Sequence, residues 1–508
     1  MCSLSTPILQ EAAAQATLEL PTLKGPAGLP VPNSTHSFWI NTAGANPLAK
    51  EGSGGNLTRD ADVCIIGAGI TGVSAAYHFA KHFGTLEDGK ALKAVILEAR
   101  DFSDNGYRFR GDRFACLLFR RLRAHECPGR NGGHLTPQPF NHFVEQAKVF
   151  GTKEAKKIHA IEHYTADELL KIIETQGLQS AVDLVASDHV ALLVTEKEVH
   201  NAKASYEAAK AAGANVDGVK WLSVADVKER YGATYPAYAH EGHNLWPLKL
   251  VTELHHLART VNPSKFQVSL HTNTPVTSLH SLEQTSTSYL GRRWSLATPR
   301  GAVHCSYVIH ATNAYASHLL PHMSGPSGII PTRGQVLALR AAAPQKEITT
   351  ASWSGNQGFE YWFPRPTNGS ENPLIILGGG REASGPDFET YVVDDSVVRK
   401  EVGKSLRGFL PGVFPGKFEK GRKPEMEWTG IMGYTKIGDP FVGRVLTPDG
   451  SSQVPGQYIS AGYTGHGMPR AYACAEVVVG MIATDIAGET WTAPDWLPRH
   501  FLTTERPQ

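Results

Sequence analysis

The stretch ADVCIIGAGITG, Ala61 to Gly72, constrains this 508-residue chain more than any other. A short apolar run ending in glycines has the character of a buried parallel strand, and the residues that follow, ITGVSAAYHFAKHFG, have helical spacing. Residues 91–100, ALKAVILEAR, read as a second apolar strand that ends in an acid. Together these make a β-α-β unit, in which Gly67, Gly69 and Gly72 have separate tasks. The first permits a tight turn, the second lets a pyrophosphate approach the backbone, and the third packs helix on strand. Phosphates then sit at the positive N-terminus of the helix, beside Ile70 and Thr71. Glu98 closes the second strand and can accept ribose hydroxyls. It lies somewhat farther from Gly72 than the usual ~20 residues, which the polar loop GTLEDGK accounts for. An acid there disfavours a 2′-phosphate and hence NADP, while the unit alone leaves FAD and NAD both open.

Composition narrows the class. Lys plus Arg number 49 and Asp plus Glu 48, a net charge of +1, so no electrostatic footprint for nucleic acid or an anionic membrane surface is expected. With 41% hydrophobic residues the chain can build a sizeable core. The six cysteines include no CxxC pair, which argues for a reducing compartment, and a cytoplasmic protein is expected. No run of about 18 apolar residues predicts a spanning helix. The 22 histidines invite a metal, but no HExxH or paired CxxC pattern is present, and no metal site is expected. A GxSxG nucleophile elbow is missing too.

Along the chain, residues 1–57 read as an extended lead-in whose apolar anchor is HSFWI, His36 to Ile40. Helical patterns cover about 141–176, 196–212 and the stretch from Pro247. Strands are expected at 266–271, 292–298, 302–310, 333–339, 358–363 and 373–380, and a helix at 396–410. The end, QYISAGYTGHGMPRAYACAEVVVGMIATDIAG, reads as strand, glycine turn and long helix.

Several of these motifs resemble the FAD-dependent amine and amino-acid oxidase family, which includes D-amino-acid oxidase, glycine oxidase, sarcosine oxidase and the γ-glutamylputrescine oxidase type. The resemblance runs from about Ser37 to Gly488. IIGAGITG, 65–72, is similar to the family's FAD phosphate loop, and Glu98-Ala99-Arg100 to its ribose-binding stretch. Gly129-Arg130-Asn131-Gly132-Gly133-His134 resembles the glycine loop near the isoalloxazine ring. Val276 in Thr274-Pro275-Val276 resembles the residue that meets the adenine end through its backbone. Thr312 and Asn313 resemble the strand-to-helix turn beside the dinucleotide. Gly465, His466, Gly467 and Met468 resemble the C-terminal flavin loop, where a helix start would face the flavin pyrimidine oxygens.

The resemblance implies an α/β fold, with a Rossmann-like, doubly wound FAD domain and a second α+β substrate domain on a mostly antiparallel sheet. The FAD domain is expected at 58–175, 240–330 and 425–490, and the substrate domain at 176–239 and 331–424. The implied reaction oxidises a C–N bond of an amine or amino acid to an imine by hydride transfer to FAD, with O2 reoxidation to hydrogen peroxide. Such chemistry needs a neutral amine and little acid–base help. Tyr361, Arg333 and His466 are the candidate catalytic residues. Arg365 and Arg381 are further candidates for a substrate carboxylate, and Trp39 resembles an aromatic that reaches the active site. Neither Cys305 nor Cys474 matches the family's flavin-linking cysteine, so FAD is expected to be non-covalent. Two alternatives remain: an FAD dehydrogenase with another acceptor, and a non-catalytic dinucleotide-binding protein.

One stretch departs from the pattern. Residues 103–128, SDNGYRFRGDRFACLLFRRLRAHECP, replace a much shorter segment, with six arginines and three acids around FACLLF. It is either a surface insertion or a retained intron. The second reading is preferred, because a basic-apolar stretch without turn chemistry has no evident role in this loop. Transcript sequencing checks it: the expected cDNA lacks residues 107–127, and one that still encodes them overturns the intron reading.

Overall fold

The computed structural model describes residues 25–83, 89–104, 129–282 and 291–507. Its first sheet has six strands, in the order Phe441–Leu446, Gln453–Ala461, Tyr307–His310, Val63–Ile66, Leu92–Leu97 and Phe266–His271. The central strand Val63–Ile66 is buried at every position. It pairs in parallel on both sides, with Val63 opposite Tyr307 and Ala94. Strands buried on both faces carry continuous apolar runs, which is why VCII and AVIL read so clearly in the sequence. Helices Ile70–His82, Pro247–Thr260 and Ala471–Ala487 pack together against this sheet. The antiparallel strands Ser278–Ser281, Trp294–Ala297 and Val303–Cys305 cover a second apolar cluster that includes Cys64, Val95, Leu97 and Val308.

The second sheet has nine strands. Its main path runs Met426–Tyr434, Ile330–Arg340, Leu374–Gly379, Glu360–Pro364, Ser352–Gly355, Val185–Leu192, Ala237–Asn244 and His134–Leu135, with Lys220–Leu222 also paired to Ala237–Asn244. Every pairing is antiparallel except that of Ser352–Gly355 with Val185–Leu192.

Two expected boundaries fall elsewhere. Position 240 lies inside strand Ala237–Asn244, and position 425 lies just before Met426–Tyr434; both strands are built into the nine-stranded sheet. Register and hydrogen bonding, not local composition, assign a strand to its sheet. The helix expected at 141–176 is two, Phe143–Phe150 and Thr152–Thr175, parted at Gly151 with φ +84°.

The lead-in lies on the body. Trp39 in helix Phe38–Asn41 is fully buried, and Thr35 N–H donates to the Asp395 carbonyl. The 103–128 stretch lies outside the described residues except for Ser103 and Asp104. Its flanks touch: Gly129 N–H donates to the Ser103 carbonyl at 3.3 Å, and Arg130 Nε to the Asp104 carbonyl at 3.1 Å.

Behind this junction, Arg100 and Asp395 form a fully buried bidentate pair at 2.5 and 2.8 Å. Removing one partner of such a pair strands the other charge. Asp395→Ala is expected to destabilise the protein by about 3–5 kcal/mol, read as a lowered midpoint in chemical denaturation.

Candidate active site

The phosphate loop is the best-defined element. Gly67 has φ +106°, and a Cβ there would sit 2.7 Å from the Ala311 carbonyl oxygen. A Cβ on Gly72 would sit 2.0 Å from the Gly67 carbonyl oxygen. The loop and the helix start therefore interlock only without side chains. Gly69 caps helix Ile70–His82 without a side-chain hydrogen bond, so the first-turn N–H groups stay available for an anion. Thr71 Oγ1 and the Tyr463 hydroxyl lie 3.0 Å apart, tying this helix to the C-terminal loop. Glu98 is buried and accepts from Ala68 N–H at 2.8 Å and Arg100 N–H at 3.0 Å. Burial pushes its carboxyl above the ordinary value, against the pull of those two donors.

These residues border a cavity of about 320 Å³ that draws its walls from both large sheets. It brings together Gly67, Gly69, Ile70, Thr71, Glu98, Ala99, Val276, Thr312 and Asn313 from the nucleotide side. Asn131, Gly132, Gly133, Tyr361, Gly465, His466, Gly467 and Met468 join them from the loops and the second sheet. Gly72 packs beneath the loop.

The loop at 129–133 is clasped by buried indoles. Trp39 Nε1 donates to the Asn131 carbonyl at 2.6 Å, and Trp428 Nε1 to the Arg130 carbonyl at 3.0 Å. Trp39 thus supports the cavity from behind and does not line it. The Tyr361 ring occupies the space left by two glycines: Cβ atoms on Gly132 and Gly378 would approach it to 2.2 and 2.4 Å. Asn313, with φ +42°, accepts Gly462 N–H at 2.9 Å and so fixes the turn toward the C-terminal loop.

Four arginines expected at the site are elsewhere. The Arg100 guanidinium faces Asp395 and the Val31 carbonyl. That of Arg130 meets Asp104, Thr35 and the Thr429 carbonyl. Arg333 is 5% exposed and paired with Glu389. Its neighbour Gly334 lines the cavity, and successive strand residues face opposite sides, so Arg333 turns away. Arg365 also leaves the site: it bonds Asp183 at 2.5 Å, its guanidinium lies over the rings of Trp39 and Trp246, and burial lowers its pKa to about 10.

Arg381 does line the cavity. Its NH2 donates to the Tyr434 hydroxyl at 2.7 Å, and its guanidinium lies 4.9 Å from the Tyr434 ring centroid. Sequence reasoning missed Tyr434, His189, His240 and Gln138 as lining residues. They come from distant segments, and no local spacing links them.

Behind His466 is a buried ion network. His466 Nδ1 lies 3.7 Å from Glu162 Oε1, Arg470 Nε donates to Glu162 at 2.8 Å, Arg470 NH1 to Asp439 at 2.8 Å, and His500 Nε2 lies 3.0 Å from Asp439. Burial alone would raise the Glu162 carboxyl, but Arg470, His466 and the Gln138 N–H hold it below the ordinary value. Burial lowers the His466 pKa, against the pull of the Glu162 carboxylate. The expected helix start at Gly465–Gly467 is a series of turns instead, and helix Ala471–Ala487 begins past Pro469. Proline disfavours helical geometry in the residue before it.

Comparison with known proteins agrees with this architecture. The FAD dependent oxidoreductase family profile matches residues 62–481, and the chain belongs to that family. No curated protein matches significantly. Among solved structures, L-amino acid deaminase from Proteus myxofaciens is similar, with a TM-score of 0.61 and 15% identity over 94% of this chain and 98% of the other. L-proline dehydrogenase from P. horikoshii has a TM-score of 0.59 and 18% identity over 88% and 98%. Glycine oxidase from Geobacillus kaustophilus has a TM-score of 0.53 and 17% identity over 85% and 96%.

The protein is therefore an FAD-dependent oxidoreductase, and its residues fit the cofactor. The glycine cradle leaves room for phosphates, and Glu98 offers acceptors. The buried Thr312 hydroxyl, on the cavity wall, has no hydrogen-bond partner among the described residues. No helix among the described residues is long and apolar enough to cross a membrane. Gly72→Ala is expected to abolish FAD retention, seen as a colourless preparation from which no flavin is extracted.

Proposed function

We propose that this enzyme oxidises the C–N bond of a small amine or amino acid that carries a carboxylate, with dioxygen as electron acceptor. The observation that carries the reading is the Arg381–Tyr434 pair, held in the same cavity as the phosphate loop and Tyr361. A guanidinium beside a phenol suits a carboxylate, through charge-assisted and neutral hydrogen bonds.

Bound FAD supplies the acceptor for the hydride that leaves the substrate carbon, and dioxygen carries the two electrons away as hydrogen peroxide. FAD is proposed to be held without a covalent bond; the described cysteines Cys64, Cys305 and Cys474 are buried and none lines the cavity. Gly67, Gly69 and the first turn of helix Ile70–His82 would hold the pyrophosphate, and Glu98 the ribose.

The remaining work of the chain is orientation and desolvation. Arg381 and Tyr434 fix the carboxylate, while Tyr361, immobilised between Gly132 and Gly378, forms the floor under the reacting carbon. Glu98 is the only carboxylate among the described lining residues and lies at the nucleotide end, so no lining carboxylate faces a substrate ammonium. The site thus favours the neutral amine, whose lone pair forms the C=N bond as the hydride departs. Water then converts the imine to a carbonyl compound and an amine.

A panel of amines and amino acids, assayed for catalase-sensitive peroxide, tests the reading. Arg381→Leu is expected to lower kcat/KM for a carboxylate substrate by about 10- to 150-fold, the loss of a charged hydrogen bond, mostly through KM. Dye reduction without peroxide would replace dioxygen by another acceptor. Equal losses on amines that lack a carboxylate would overturn the clamp.

A further inference from the structure

One part of the cavity wall, across the sheet from Arg381, has no role in the chemistry above. It is built by His189, His240 and Ser354, on three adjacent strands of the nine-stranded sheet. Sheet order sets its distance from the clamp. From Leu374–Gly379, which leads into Arg381, the path runs through Glu360–Pro364 and Ser352–Gly355 to Val185–Leu192 and then Ala237–Asn244. At about 4.8 Å per strand, His189 and His240 stand roughly 14 and 19 Å along the sheet from strand Leu374–Gly379. An amino acid held by its carboxylate at Arg381 leaves this wall uncovered unless it has a long side arm.

The chemistry of the wall is specific. His240 Nδ1 lies 2.9 Å from the Glu241 carbonyl oxygen, so Nδ1 carries the proton and Nε2 is left as an acceptor. His189 has both nitrogens 2.9 Å from hydroxyls, Nδ1 from Ser352 and Nε2 from Ser354, so the Ser354 hydroxyl can turn as donor or acceptor. Asn141, also on the wall, accepts the Tyr238 hydroxyl at 3.0 Å through Oδ1, which leaves its amide N–H groups to serve as donors. Donors and acceptors are both on offer, and the described lining has no charged side chain besides Glu98 and Arg381. Burial keeps the imidazoles neutral: the pKa of His240 falls to about 4, and that of His189 well below the ordinary value. A charged group brought here would lose its hydration without gaining a counter-ion.

We propose that His189, His240 and Ser354 form a second recognition subsite, which binds an uncharged hydrogen-bonding group, a hydroxyl or carboxamide, at the far end of an elongated substrate. The proposal rests on the Arg381 clamp proposed above, which anchors the other end.

The test uses the FAD-loaded enzyme and straight-chain carboxylates of six, eight and ten carbons, each ending in a methyl, hydroxyl, carboxylate or ammonium group. Binding is read from perturbation of the visible flavin spectrum and by calorimetry. At the length that spans the gap, the hydroxyl-terminated ligand is expected to bind about tenfold tighter than the methyl-terminated one, the worth of one well-made hydrogen bond, and both charged termini to bind more weakly. His240→Phe and, as the smaller change, Ser354→Ala are each expected to bring the hydroxyl-to-methyl ratio close to one. A charged terminus preferred at every length, or a hydroxyl preference that survives both substitutions, overturns the subsite. The anchor is checked separately. If Arg381→Leu leaves the affinity of the methyl-terminated series unchanged, the clamp reading fails and the subsite loses its anchored end. If that affinity falls but hydroxyl and methyl bind alike, only the subsite fails.

Discussion

The site is organised around the absence of two side chains, at Gly67 and Gly72. The Gly67 and Ala311 backbones approach closely, and Gly72 packs against the Gly67 carbonyl, so strand Val63–Ile66, its helix and strand Tyr307–His310 can meet at one point. The helix N-terminus is thereby aimed into the cavity with its N–H groups unspent. Two neighbouring walls are tied to that point: Glu98 bonds Ala68, and Tyr463 meets Thr71.

A second layer of control is electrostatic and lies behind the walls. The chain is nearly neutral overall, yet Arg100–Asp395, Arg130–Asp104 and Glu162–Arg470–Asp439 are buried or largely buried ion pairs. Buried pairs add little net stability, since desolvation offsets attraction, but losing one partner is costly. In this protein they join segments far apart in sequence: the end of strand Leu92–Leu97 to the Asp395 segment, the 129–133 loop to Asp104, and helix Thr152–Thr175 to the C-terminal loop. Arginines that look like substrate anchors in the sequence are mostly such fasteners.

Much of the site was legible residue by residue. The phosphate loop, Glu98, the 131–133 loop and Gly465–Met468 are each short continuous motifs whose chemistry is tied to local backbone geometry, and all contribute to one cavity. Arg333 was misleading because a strand alternates faces, and one position decides between cavity and Glu389. Strand Met426–Tyr434 was expected with the nucleotide-binding segments and lies instead at the edge of the nine-stranded sheet, where it brings Tyr434 to Arg381.

The dinucleotide unit is written in the order of residues alone, because glycine spacing and buried apolar strands are local properties. That order also determined the family, through motifs spread over nearly the whole chain. Which arginine lines the cavity and which histidines share a wall follow instead from how distant segments pair. Those relations join positions as distant as Arg381 and Tyr434, or His189 and Ser354. They are set by strand order and register across the nine-stranded sheet, which hydrogen bonds between distant segments create and no local pattern encodes.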